Sequence, residues 1–462
     1  MLTGPNRLFV KGGFGHNYAA CPTTGRNEPS RTKSESESSL SGSGLGFDES
    51  DKKERVMQKY NPERALTKVK REFGEHGGVT PSIERSCTFT VMDPETMPEI
   101  FHGLRGPEKG GCFLYSRHFN PTNDVLARYL AAMEGTEAAV TTASGMGAVS
   151  SSLLQLCKTG DHIISSDTVY GGSHALMGDL FPELGITTTF VDPSDTAAFE
   201  SAIKPETKVI YVEVQGNPTL KIADIPALSK LAKNKGLKLV VDNTFTPVLF
   251  SPAQLGADVV VYSCTKFLNG ASDIIGGAIC ASKDFILELM DLHTGRVMLL
   301  GPTMDPRVAF DLIQRIPHLP LRMREHGRRA MAIAKRLEEL GAPVVYPGLQ
   351  SFSQRVLFDA MANDGYGYGG MLTLDCKTNE KANELMMVLQ NEEQFGYMAV
   401  SLGYFDTLIS CSGSSTSSEI PPEDQAKMGL SPGLLRIALG YTGFLEDRVE
   451  QITRAVKKVR LV

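Results

Sequence analysis

From about residue 137 the chain alternates short β-rich runs with segments of helical periodicity, and this alternation limits the possible folds more than any other feature. Strands are predicted at residues 138–142, 162–165, 187–191, 209–214, 237–241, 259–262 and 277–281. Strands separated by helices cannot pair as simple hairpins. They pair in parallel through crossovers, which gives a doubly wound α/β domain with a mainly parallel central sheet and helices on both faces. Such sheets bind ligands at the carboxyl ends of their strands. Ser144, Glu213, Asp242 and Ser263, each at a predicted strand end, should therefore converge on one crevice although they are far apart in sequence.

Beyond Pro302 the pattern changes. Residues 324–340 have apolar positions at helical spacing with a basic outer face, and Gly341-Ala-Pro343 stops the run. Strand candidates at 370–374 and 434–439 and a long polar loop at 410–418 predict a smaller α+β C-terminal domain. Residues 32–44 form a polar, serine-rich stretch that cannot bury enough apolar surface to offset its ordering entropy. The expected organisation is a flexible arm over 1–55, an N-terminal segment over 56–120, the sheet domain over 121–318 and the C-terminal domain over 319–462.

Charge and composition exclude several classes of partner. A net charge of -6 leaves no basic footprint for nucleic acid, and no apolar run approaches the roughly 20 residues that span a bilayer. The eight cysteines include no Cys-x-x-Cys pair, so they read as reduced residues of an intracellular protein without a zinc or other metal site, and the cytoplasm is the expected location. Residues 1–27 lack acidic side chains, which keeps an organelle open as the alternative location.

The run Val259-Val-Val-Tyr-Ser-Cys-Thr-Lys266 ends an apolar strand in two hydroxyl residues and an amine. An ammonium beside a buried strand is costly to desolvate, which favours a neutral, nucleophilic or covalently occupied lysine. Upstream, Leu237-Lys-Leu-Val-Val-Asp242 delivers a carboxylate at its own strand end. The pair points to an aldehyde cofactor such as pyridoxal phosphate. Lys266 would form the Schiff base, and Asp242 would keep the pyridine nitrogen protonated. Turn and cap roles for Asp242-Asn243 and a solvated loop at Thr265-Lys266 are the bland alternatives.

Other residues supply what such a cofactor needs. Ser144-Gly145-Met146-Gly147 follows a strand and opens a helix, so backbone N–H groups can approach a phosphate, and Ser263 and Thr265 can add hydroxyl donors. Tyr170 precedes two glycines and could stack on a planar ring, although a packed tyrosine is the ordinary reading. Tyr115-Ser-Arg117 lies outside the sheet, and its arginine could clamp a phosphate or simply face solvent. Arg436 interrupts an apolar strand and needs an anionic partner, either an amino-acid carboxylate or a structural ion pair.

Together, Tyr115-Ser-Arg117, Asn120-Pro-Thr122, Ser144-Gly-Met-Gly-Ala148, Val169-Tyr-Gly171, Asp242-Asn-Thr244 and Ser263-Cys-Thr-Lys266 resemble the transsulfuration family of pyridoxal-phosphate enzymes, from about residue 60 to the C-terminus. The resemblance implies the type I fold of pyridoxal-phosphate transferases. It assigns the Schiff base to Lys266, the pyridine contact to Asp242, ring stacking to Tyr170, and the phosphate to Gly145, Met146, Ser263 and Thr265. Tyr115 and Arg117, in the segment 56–120, would reach the phosphate of a neighbouring subunit, so a dimer is the smallest active unit and a tetramer the expected assembly. Asn217, Ser401 and Arg436 match positions that bind the substrate carboxylate or border the cofactor.

Ala399-Val400-Ser401-Leu402-Gly403 resembles the methionine-cleaving members, with apolar Val400, and the polar loop 410–418 resembles their plant type. Val400 would suit a thioether, whereas a carboxylate there would hold the distal ammonium of cystathionine. The implied reaction is α,γ-elimination of methionine to methanethiol, 2-oxobutanoate and ammonia. Cystathionine cleavage or synthesis, and a non-catalytic sensor of the cofactor, are the rivals. The chain departs from the bacterial methionine-cleaving form at Gly172, where that form has cysteine, and at Ser412-Gly413-Ser414, where it has His-Pro-Ala.

Overall fold

A computed structural model describes residues 60–69, 77–101, 104–105, 113–411 and 430–462. The predicted arm over 1–55 and the departure at Ser412-Gly413-Ser414 lie outside the described residues. Two compact units are present, one taking residues 57–88 and 115–462, the other residues 1–56 and 89–114. The described part of the second unit contains the short helix Thr96–Phe101, a backbone bond from Phe89 N–H to Leu114 O at 2.9 Å and an Arg105–Glu99 ion pair.

In the larger unit the chain enters the sheet domain through the helix Pro121–Glu134. Its start is written in the sequence: Asn120 Oδ1 accepts from the N–H of Thr122 and Asn123, and Pro121 stands at the first helical position. The central sheet contains β1 (Ala138–Thr142), β2 (His162–Ser166), β3 (Thr187–Val191), β4 (Thr207–Glu213), β5 (Lys238–Asp242), β6 (Val259–Ser263) and β7 (Gly277–Ala281). Their order is β1-β7-β6-β5-β4-β2-β3.

The neighbours from β6 to β3 pair in parallel, whereas β7 runs antiparallel to both β6 and β1. The sheet is mixed as well as mainly parallel. No helix lies between β6 and β7, so the chain cannot make a parallel crossover there and returns in the opposite direction. The middles of strands β4, β5 and β6 are apolar because both faces are covered. Ile210, Val212, Leu239, Val241 and Val260 pack on one face with Leu126, Leu130, Leu228 and Leu312. The alternate residues Val209, Tyr211, Val240, Val259 and Val261 pack on the other with Val149, Leu153 and Met177.

A second sheet follows, with β8 (Val344–Val345), β9 (Met371–Asp375), β10 (Tyr397–Met398), β11 (Leu408–Cys411) and β12 (Leu434–Ala438) in the order β10-β11-β12-β9-β8. Helices Leu319–Glu339 and Leu445–Lys458 pack on it through Ile333, Leu337, Ile452 and Val456. The first of these helices begins before the predicted residue 324, because Pro320 is tolerated in its opening turn. The predicted polar loop is corrected at its start: Ser410 and Cys411 belong to β11, where Ser410 pairs in register with Arg436 of β12. Residues 412–418 lie outside the described residues.

Candidate active site

Three strand ends and one helix start are tied together by their own polar groups. Asp242, the last residue of β5, accepts the N–H of Thr244 on Oδ1 at 2.9 Å, and Thr244 Oγ1 accepts the N–H of Ser263 at 2.8 Å. The turn role of Asp242-Asn243 is therefore real, and it occupies only one carboxylate oxygen. The other oxygen, Oδ2, lies 3.4 Å from the Tyr211 hydroxyl. Burial holds the Asp242 carboxyl above its usual range, while the bonds from Thr244 and Tyr211 oppose the rise. A buried carboxylate of this kind is completed by a cationic N–H donor.

The helix Gly145–Leu156 starts against the end of β6. Ser144 caps it by accepting the Gly147 N–H on Oγ at 3.0 Å, which leaves the N–H groups of Gly145 and Met146 without intrahelical acceptors. A Cβ on Gly145 would stand 2.7 Å from Ser263 Cβ, so only glycine allows this close approach. Open helix N–H groups beside a serine hydroxyl suit a phosphate. Thr265 is differently engaged: its hydroxyl accepts the Gly276 N–H at 3.1 Å and donates to Gly276 O at 3.3 Å, closing the loop between β6 and β7.

Lys266 Nζ donates to Ser401 Oγ at 3.0 Å. Burial, reinforced by the nearby Arg436 charge, pulls its amine down to about 8. Arg436 is 3% exposed and donates to Asn217 Oδ1 at 3.0 Å and to Ser401 O at 3.1 Å. Burial lowers its guanidinium to about 10, so a further anion would be welcome there. Lys266, Ser401, Asn217 and Arg436 form one connected group.

Tyr170 is 46% exposed while its N–H is held by Glu213 Oε1 at 2.7 Å. Val400, beside Ser401, is also exposed. Arg117 lies over the Tyr115 ring and donates to Met298 O at 2.9 Å. Among the described contacts neither bonds Lys266, Asp242 or Ser263. The part played by Tyr211 was missed in the sequence because a tyrosine inside an apolar strand reads as core. Glu213 was placed in the crevice but given no role.

The donor set fits pyridoxal phosphate. A depressed lysine amine suits an aldehyde, an incompletely paired buried carboxylate suits a pyridinium, and a glycine-lined helix start suits a phosphate.

Comparison with known proteins agrees. Residues 65–457 match the model of the Cys/Met metabolism PLP-dependent enzyme family. The chain is 54% identical to methionine gamma-lyase of Arabidopsis thaliana over 86% of this chain and 90% of that protein. It is 35% identical to cystathionine gamma-lyase of Bacillus subtilis, over 83% of this chain and 98% of the relative. A Campylobacter jejuni structure solved with N'-pyridoxyl-lysine-5'-monophosphate superposes with a TM-score of 0.79 at 26% identity, over 86% of this chain and all of that one.

Proposed function

The chain belongs to the family of Cys/Met metabolism PLP-dependent enzymes, and from that membership we propose that it is a carbon–sulfur lyase that cleaves L-methionine by α,γ-elimination. Methionine and water would give methanethiol, 2-oxobutanoate and ammonia. The observation that carries this reading is the linked group in which Lys266 Nζ meets Ser401 Oγ at 3.0 Å and Arg436 donates to the carbonyl of the same serine. It brings an amine that can move protons next to a cation that can hold an α-carboxylate.

Pyridoxal phosphate, when bound, supplies an aldehyde for a covalent nitrogen link and a protonated ring that accepts electrons from the substrate's Cα. Lys266 would provide that link in the resting enzyme through Nζ, and Asp242 Oδ2 would hold the pyridine proton. The N–H groups of Gly145 and Met146 with the hydroxyl of Ser263 would hold the phosphate, and Thr265 would support them by fixing the loop that carries Lys266. Arg436 and Asn217 would orient the substrate carboxylate. Lys266 would take the Cα proton on Nζ and then serve the Cβ proton. Tyr170, stacked on the ring, would give its hydroxyl proton to the departing sulfur.

The exposed apolar Val400 would meet the methylthio end of the substrate. Tyr115 and Arg117 would complete the phosphate site of a partner subunit, making a dimer the working unit and a tetramer the assembly. We further propose the division at residues 318/319, a cytoplasmic location and a link between methionine breakdown and isoleucine supply. Among the described residues no helix is long and apolar enough to cross a membrane.

The test is product analysis by mass spectrometry after purified, cofactor-loaded protein is given methionine, cystathionine, or O-phosphohomoserine with cysteine. Methanethiol and 2-oxobutanoate from methionine alone support the reading. Cystathionine formed from the activated homoserine, with no methanethiol from methionine, overturns it.

A further inference from the structure

Glu213 ends β4 with its side chain 6% exposed, in register with Asp242 at the end of β5. Two carboxylates side by side in a buried sheet repel each other, so each needs its own donors. Glu213 has two, from different loops. Its Oε1 accepts the N–H of Tyr170 at 2.7 Å, and its Oε2 accepts the N–H of Asn217 at 3.1 Å. Burial and the neighbouring Asp242 carboxylate hold the Glu213 carboxyl well above its usual range, while the two N–H bonds and the nearby Arg436 charge oppose the rise.

The two loops press against each other. A Cβ on Gly216 would stand 2.7 Å from Thr168 Oγ1 and 2.9 Å from Thr168 O. Glu213 is thus a clip across a contact whose spacing allows no side chain at residue 216.

We infer that Glu213 is a positioning residue: through both carboxylate oxygens it fixes the backbone of Tyr170 and of Asn217 at once, and so sets the distance between the stacking ring and the substrate-carboxylate group. The roles of Tyr170 and Asn217 in this inference rest on the function proposed above. The chemistry requires a carboxylate. Glutamine can accept one of the two N–H groups, but its amide then points a donor at the other. Aspartate keeps the charge and lacks the reach. A carboxylate that served only packing would tolerate glutamine, which has nearly the same shape.

The test compares Glu213→Gln and Glu213→Asp with the parent protein in three measurements. Amide exchange is followed over residues 167–172 and 214–219, visible circular dichroism reports the bound cofactor, and kcat and KM are measured with methionine. Exchange at Tyr170 or Asn217 should speed up at least about tenfold in Glu213→Gln, since the amide oxygen can accept only one of the two N–H groups. The cofactor's dichroism should change, and kcat/KM should fall about 100-fold through a lower kcat and a higher KM.

If the glutamine variant does not fold, the aspartate variant should show the same exchange and dichroism changes. Parental exchange and dichroism in a folded variant overturn the inference. If exchange and dichroism change but the parent releases no methanethiol, Glu213 stands as a positioning residue and the methionine reading fails. If the parent cleaves methionine and Glu213→Gln matches it in exchange, dichroism and kinetics, the positioning role alone fails.

Discussion

Replacing Arg436 by glutamine should separate folding from function. The guanidinium is almost fully buried, and among the described contacts it bonds two neutral oxygens, on Asn217 and Ser401, with the Glu213 carboxyl nearby. Its depression to about 10 corresponds to a burial penalty of about 3 kcal/mol at the rate of ~1.4 kcal/mol per pH unit. The sign follows from linkage. The folded state binds the proton less tightly than the unfolded chain, so the penalty is present in full at neutral pH and fades only as pH rises above about 10. Arg436→Gln removes it and gives up two hydrogen bonds worth roughly 1 to 3 kcal/mol each. The two effects nearly cancel, and unfolding stability should change by no more than about 2 kcal/mol. Recognition of the α-carboxylate has no such compensation. Loss of a paired charge there should lower kcat/KM for methionine by about 100-fold or more, equivalent to ~3 kcal/mol. Urea unfolding and steady-state kinetics measure the two sides. A variant that keeps parental kcat/KM, or one that loses more than ~5 kcal/mol of stability, would refute the reasoning.

Three further outcomes are expected. In cofactor-free protein, amine acylation of Lys266 should rise with pH around a midpoint of about 8, and Arg436→Gln should move the midpoint upward by removing a like charge; a midpoint equal to that of surface lysines would contradict the site's electrostatics. Gly145→Ala places a methyl 2.7 Å from Ser263 Cβ and should weaken cofactor binding by about 1 to 3 kcal/mol, read by titration, although alanine favours the helix itself; unchanged affinity would show that the helix start is not the phosphate cradle. Asp242→Asn should keep the Thr244 turn bond but remove the countercharge for a pyridinium, slowing Cα proton loss measured by deuterium exchange into methionine; a parental rate would mean that the carboxylate is misassigned.

Much of this arrangement was readable in advance because burial on both faces leaves a strong mark. The middles of β4, β5 and β6 are apolar runs, so the polar residues that end them, Glu213, Asp242 and Ser263, stand out in the sequence, and Lys266 follows three residues after the last. Single-residue bonds to backbone left no such mark. The N–H groups of Tyr170 and Asn217 look the same in any sequence, so the clip formed by Glu213 emerged only with the coordinates.

Glu134 is a similar case. It lies at the end of an amphipathic helix, where an acid reads as solvated, yet it is fully buried, accepts from Tyr262 and the Ala253 N–H, and is raised by burial to about 7. Strands β8 and β10 have two residues each and carry too little periodicity to detect. Tyr115 and Arg117 are legible as motif residues, and their side-chain contacts among the described residues are to each other and to Met298.

Borohydride reduction of the cofactor-loaded protein, followed by peptide mapping, decides whether the lysine at the mouth of β6 carries the chemistry. A single pyridoxyl adduct should appear on Lys266 and vanish, together with activity and visible absorbance, in Lys266→Ala. An adduct on any other residue, or a yellow and active Lys266→Ala protein, would contradict the assignment.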